Sequence, residues 1–113
     1  MRPFLALLLL SALAGPALAE SRGTRIAMAV ALLDVTQEHC EGKLEVDPQV
    51  KATLLTHFHE YDIAGLASLL SRPLNSFYED FSYQAKQGLD AFCRAAPEQA
   101  ARTGYPVLLA RGG

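Results

Sequence analysis

The sequence predicts an all-α protein, a small bundle of three to four helices stapled by one disulfide. Three observations carry that expectation. Apolar residues recur at steps of three and four through most of the chain, and alternation with period two is brief. The only two cysteines, Cys40 and Cys93, fall near apolar faces of different helical segments.

The first nineteen residues stand apart. MRPFLALLLLSALAGPALA carries one positive residue, Arg2, an apolar run from Phe4 to Leu13, the breaker Gly15–Pro16 and a small-x-small end at Ala17-Leu18-Ala19. These are the regions of a secretory signal peptide, with cleavage expected after Ala19. The apolar run is about ten residues, half of the roughly twenty that a spanning helix needs, which argues against a retained anchor. The leader has no twin-arginine pair, and no cysteine follows the cleavage point to take a lipid.

The mature chain, residues 20–113, is then 94 residues long (113 − 19), a single domain with a modest core and little room for a deep active site. Nine basic residues (10 less Arg2) face twelve acidic ones, a formal charge of −3. The sequence shows no basic stripe or cluster, so nucleic acid is not an expected partner. Arginine outnumbers lysine seven to three and alanine is abundant, a bias of GC-rich bacterial genomes that points to the periplasm.

ESRGTRIAMAVALLDVTQEHCEGK reads as the first helix. Ile26, Val30, Leu33, Gln37 and Cys40 make a stripe that Met28, Leu32 and Val35 widen. Ser21 or Thr24 can cap its start, and Gly42 suits the left-handed position after its end. The second helix has the clearest start: Asp47 as N-cap and Pro48 at the first helical position. Val50, Leu54, Phe58, Tyr61 and Gly65 form its face, flanked by Leu55, Ile63, Leu66, Leu69 and Leu70. Gly65 inside this helix is a weak point that close packing by another helix would excuse. Ser71-Arg72-Pro73 is expected to end it, because proline pushes the preceding residue out of the helical region.

A third helix is expected from Pro73, with a stripe of Leu74, Phe77, Tyr78, Phe81, Ala85, Leu89 and Phe92, and Cys93 at its edge. Pro97 is expected to interrupt it. PEQAART then makes a short fourth turn or helix ended by Gly104, and the apolar tail YPVLLARGG either packs on the bundle or docks on a partner, its last residues loose.

In an oxidising compartment the isolated cysteine pair is expected to form one disulfide, joining the first and third helices. The bond would close a loop spanning 53 positions (93 − 40), worth roughly 4 kcal/mol in the chain-entropy model. There is no C-x-x-C redox motif, no haem attachment site and no paired zinc spacing.

THFHEYD, residues 56–62, is the stretch richest in side chains that do chemistry. On a helix His57 and His59 point about 200° apart and cannot share one metal ion, whereas a strand would put them on one face. His57 has Glu60, and His59 has Asp62, three positions on, which are ordinary helix-surface pairs. No nucleophile is fixed beside them by spacing, and neither a nucleophile elbow nor a phosphate loop is present. No metal and no cofactor are expected, with His57 and His59 the only candidate ligands. Four aromatic residues, Phe77, Tyr78, Phe81 and Tyr83, lie within seven positions and are the candidate binding residues, although such residues more often build a core.

CEGKLEVDPQV and FCRAAPEQAARTG carry two resemblances. A leader, an early helix ending near one cysteine, and a late cysteine followed by a short helix and apolar tail resemble small exported alphaproteobacterial helical proteins of domain families of unknown function. That resemblance covers most of the mature chain and carries over Cys40 and Cys93. CEGKLEVD, residues 40–47, is similar to the segment around the first cysteine of HdeA-type periplasmic acid-stress chaperones, which are small, helical and held by one disulfide. Those chaperones are rich in charge, whereas this chain is half hydrophobic.

The expected function is that of a non-enzymatic periplasmic module that binds a protein or peptide. The alternatives are an acid-stress chaperone, which the second resemblance implies, and a small metal- or ligand-binding protein. Full protonation of His39, His57, His59 and the twelve carboxylates would carry the mature chain from −3 to about +12, enough to loosen a small bundle.

Overall fold

Apolar residues occupy nearly every position from Ile26 to Val35, and a helix that is apolar all round has to be enclosed. A computed structural model, which describes residues 22–111, places this helix, α1 (residues 22–39), at the centre. Ile26, Ala27, Ala29, Val30, Ala31, Leu32, Leu33 and Val35 are all buried. Thr36 is buried with them and its hydroxyl donates to the carbonyls of Leu32 (2.8 Å) and Leu33 (3.0 Å), which satisfies the one polar group there. The expected single stripe was too narrow. Small alanines count for little in a periodicity reading yet mark buried faces here, while Gln37, placed in that stripe, is exposed. The expected leader over residues 1–19, a Ser21 cap and the end of the tail at 112–113 lie outside the described residues.

Around α1 lie β1 (Leu44–Val46), α2 (Pro48–Ile63), α3 (Ala67–Gln87), α4 (Leu89–Arg102) and β2 (Leu108–Ala110). The described residues form an all-α bundle of four helices with one short β-ribbon, and no described helix is long and apolar enough to cross a membrane. Each later element except β1 sends buried side chains to the same core: Leu54 from α2, Leu70, Phe81 and Ala85 from α3, Phe92, Cys93, Ala96 and Ala100 from α4, and Leu108 from β2. β1 adds Leu44 and Val46, packed against that core and half-buried.

α2 starts as its sequence dictates. The Asp47 carboxylate accepts from the amides of Gln49 (3.0 Å) and Val50 (3.2 Å), and Pro48 takes the first helical position. Its end differs from the expectation. The helix stops at Ile63 because Gly65, at φ +75°, closes it in the left-handed conformation. The Leu66 amide reaches back to the Tyr61 carbonyl (2.8 Å) and the Gly65 amide to Asp62 (3.0 Å), the paired bonds of a Schellman motif. Nothing lies within 4 Å of where a Gly65 Cβ would stand, so this glycine serves the turn and not a close helix contact. Ile63, Leu66 and Leu69, expected to flank a core face, are instead exposed at this corner.

Neither proline ends a helix. Pro73 sits inside α3 and Pro97 inside α4, although an interior proline costs about 3 kcal/mol. Burial explains why both are carried. Leu70, Leu74, Phe77, Phe81 and Ala85 run through Pro73 at helical spacing, and Leu70 is fully buried. Phe92, Ala96 and Ala100 do the same through Pro97. Breaking either helix at its proline would take that stripe off the core. The break falls at Gly88, whose extended backbone (φ −170°, ψ 91°) separates α3 from α4. Leu89 consequently leaves the expected aromatic stripe and is exposed.

The Gly88 break also moves the disulfide. Cys40, just past the end of α1, bonds Cys93 on α4, with Cα atoms 5.7 Å apart and both residues buried. The staple therefore joins the first helix to the fourth, not to the third. The apolar tail docks on its own bundle. Its strand β2 pairs antiparallel with β1 in the register Leu44↔Ala110, Glu45↔Leu109, Val46↔Leu108, and the Asp47 amide adds a bond to the Val107 carbonyl (2.8 Å). Strands of three residues are too short for alternation to reveal, so no strand was expected there.

Two expectations follow for stability. Gly65→Ala should cost about 1–2 kcal/mol, the penalty of a left-handed L-residue, whereas Gly88→Ala should be neutral or stabilise by up to about 1 kcal/mol. Equal effects in urea unfolding would refute the assignment of the turn to Gly65. Replacing both cysteines by serine should lower stability by about 2–5 kcal/mol in the same experiment.

Candidate functional site

The four aromatic candidates do not form one platform. Phe77 is half-buried and stacks on the buried Phe81, with ring centroids 6.3 Å apart. Phe81 in turn meets Phe92 of α4 at 6.2 Å, so this pair belongs to the core. Tyr78 is tied down differently: its hydroxyl donates to both carboxylate oxygens of Glu38 on α1, at 2.7 and 2.9 Å. That bond, more than any other cause, pushes the Tyr78 pKa above its ordinary value. Tyr83 alone is largely exposed, beside a shallow hollow at the α3–α4 junction.

The two histidines also part company, as helical geometry requires. His59 is exposed, whereas His57 is half-buried and its Nδ1 lies 2.8 Å from the Tyr105 hydroxyl. Among the described residues no group of three His, Cys, Asp or Glu side chains converges on one point.

A cleft forms where the sequence showed no cluster. It has a volume of about 760 Å³ and lies between the open end of the ribbon and α4. Leu44, Cys93, Pro97 and Ala110 give it apolar walls, and Lys43, Arg94 and Arg111 bring three cations to it. Lys43 Nζ is 2.7 Å from the Asp90 carboxylate, Arg94 Nε is 3.4 Å from the Asp90 carbonyl, and Arg111 Nη1 donates to the Gly42 carbonyl at 3.1 Å. Asp90 is the one carboxylate in the lining, so the cleft is cationic in a chain that is acidic as a whole.

No family model matches this chain, and no match was found among curated proteins or solved structures. The cleft's chemistry therefore has to be read from its own residues. Its cations are far apart in sequence and reach one place because the disulfide holds the end of α1 against α4 while the tail returns along β1. Sequence reading missed Lys43, Arg94 and Arg111 for that reason. The one available signal was the clustering of Gly42-Lys43 and Cys93-Arg94 around the two cysteines, which a disulfide necessarily brings together.

Two measurements test this geometry. The Lys43 ammonium, by hydrogen bond and by charge, holds the Asp90 carboxyl below its ordinary value. A carboxylate whose pKa is lowered on folding contributes stability above its unfolded value and loses it as pH falls through the folded one. Carbon-detected NMR titration should therefore give Asp90 a midpoint below that of an unperturbed aspartate, returning to normal in Lys43→Met; an ordinary midpoint in the parent protein would remove the ion pair. Calorimetric titration with zinc and with copper should show no stoichiometric submicromolar binding. Such binding, if lost in a His57→Ala, His59→Ala double variant, would mean that α2 is not a regular helix there.

Proposed function

We propose that this protein is an exported, non-enzymatic binding module of the bacterial periplasm that takes an acidic peptide segment in the cleft between the ribbon and α4. The observation that carries the reading is the pairing of an apolar floor with Lys43, Arg94 and Arg111 at one end of a net-acidic molecule. Carboxylates on a partner would find guanidinium partners suited to paired hydrogen bonding, and aliphatic side chains would find Leu44 and Pro97. Export is supported by the signal-peptide pattern of residues 1–19 and by the Cys40–Cys93 disulfide, which persists in oxidising compartments. His57 is engaged by the Tyr105 hydroxyl, 2.8 Å from its Nδ1, and not by a serine, threonine or cysteine.

Fluorescence anisotropy tests the reading directly. A short labelled polyglutamate peptide should bind the folded protein saturably, and a polylysine peptide of equal length should not. Arg94→Ala with Arg111→Ala should weaken binding at least tenfold, about 1.4 kcal/mol, at an unchanged melting temperature. Equal binding of both peptides, or no loss in the double variant, would retire the cleft as the site.

A further inference from the structure

A second cationic hollow lies on another part of the molecule, where α1, α2 and the turn after α4 meet. Arg22 and Arg25, three apart on α1, share one face. Thr53 and His57 are presented by one face of α2, and Gly104 and Tyr105 follow α4. Together they line a hollow of about 370 Å³ with no carboxylate in its wall. His57 Nδ1 is 2.8 Å from the Tyr105 hydroxyl, and the two rings meet edge to face. Arg25 has its Nε buried without a hydrogen-bond partner among the described residues, and its Nη1 lies beside Gly104. A buried donor left unpaired costs free energy, and a guanidinium donor is satisfied most fully by an anionic oxygen.

The neighbouring charges agree with that geometry. Burial raises the Tyr105 pKa, and the charges of Arg22 and then Arg25 act against it, so both guanidiniums lie close enough to be felt at the hydroxyl. Tyr61 and Glu60 also raise it, and Glu60 is the one carboxylate felt there.

We propose that this hollow binds a phosphate-class oxyanion. Two guanidiniums, the threonine hydroxyl and the donor offered by the His57–Tyr105 pair exceed what the two oxygens of a carboxylate can accept, whereas a tetrahedral dianion offers acceptors to all of them. The volume leaves room for an ester substituent as well as the anion. The site is separate from the ribbon cleft: the two share no residue, and neither reading depends on the other.

Isothermal titration calorimetry at constant ionic strength decides it, with inorganic phosphate, glycerol 3-phosphate and acetate as probes. Inorganic phosphate or its ester should bind saturably at one site, and acetate should bind at least tenfold more weakly. Arg25→Gln should weaken phosphate at least tenfold, Tyr105→Phe should weaken it while keeping the ring and its packing, and Arg72→Ala, on the exposed side of α3, should change nothing. Phosphate should also raise the melting temperature of the parent protein but not of Arg25→Gln. Co-sedimentation with phosphatidic acid vesicles that is lost in Arg25→Gln would assign the anion to a lipid headgroup, and its absence would assign it to a soluble phosphate. No saturable binding of either phosphate, acetate binding as tightly, or affinity unchanged in both Arg25→Gln and Tyr105→Phe would overturn the proposal.

Discussion

The enclosure of α1 is the constraint on which the rest of this structure depends. A helix with Ile26, Leu32, Leu33 and Val35 on different sides leaves little solvent face over its middle turns, with Asp34 the exposed position, so three further helices and a returning tail are needed to cover it. Burial of a large aliphatic side chain contributes about 1.5–3 kcal/mol. Several of these concentrated on one helix outweigh the cost of carrying prolines in the helices that wrap it. Pro73 and Pro97 are thus consequences of the core and not boundaries of it.

The disulfide has a narrower task than holding the bundle closed. It fixes the open end of α1 against α4, next to the start of a ribbon of only three residues per strand. A two-stranded ribbon is marginal alone, and here it is bounded by a covalent link on one side and by the buried Val107 and Leu108 on the other. The cationic cleft is a by-product of that arrangement. Lys43 follows the first cysteine closely, Arg94 follows the second, and Arg111 arrives with the second strand.

Much of the fold was legible in the sequence. The all-α class, the pairing of the cysteines, the Asp47–Pro48 start of α2 and the helical separation of His57 from His59 rest on local chemistry, which spacing and residue type express well. Helix ends at 63 and 87 were not legible, because proline and glycine compete as breakers and only tertiary burial decides between them. The stripe Leu70–Leu74–Phe77–Phe81 ran through Pro73 in plain view, yet it gains weight over a local steric cost only once Leu70 is known to be buried. The clefts were the least legible features. Both Lys43–Arg94–Arg111 and Arg25–His57–Tyr105 are assembled from segments distant in the chain, and apart from the placement of Lys43 and Arg94 near the two bonded cysteines the sequence carries no signal for such encounters.

Native-state hydrogen exchange of the oxidised protein measures the central claim most directly. If α1 is the enclosed core, amides of residues 30–36 should exchange only through global unfolding, with protection matching the free energy from denaturant titration, while the α2–α3 corner around Gly65 opens at lower cost. The account would be contradicted if α1 exchanged through a local opening while α3 and α4 stayed protected, for then the bundle would stand without the helix it is built to cover.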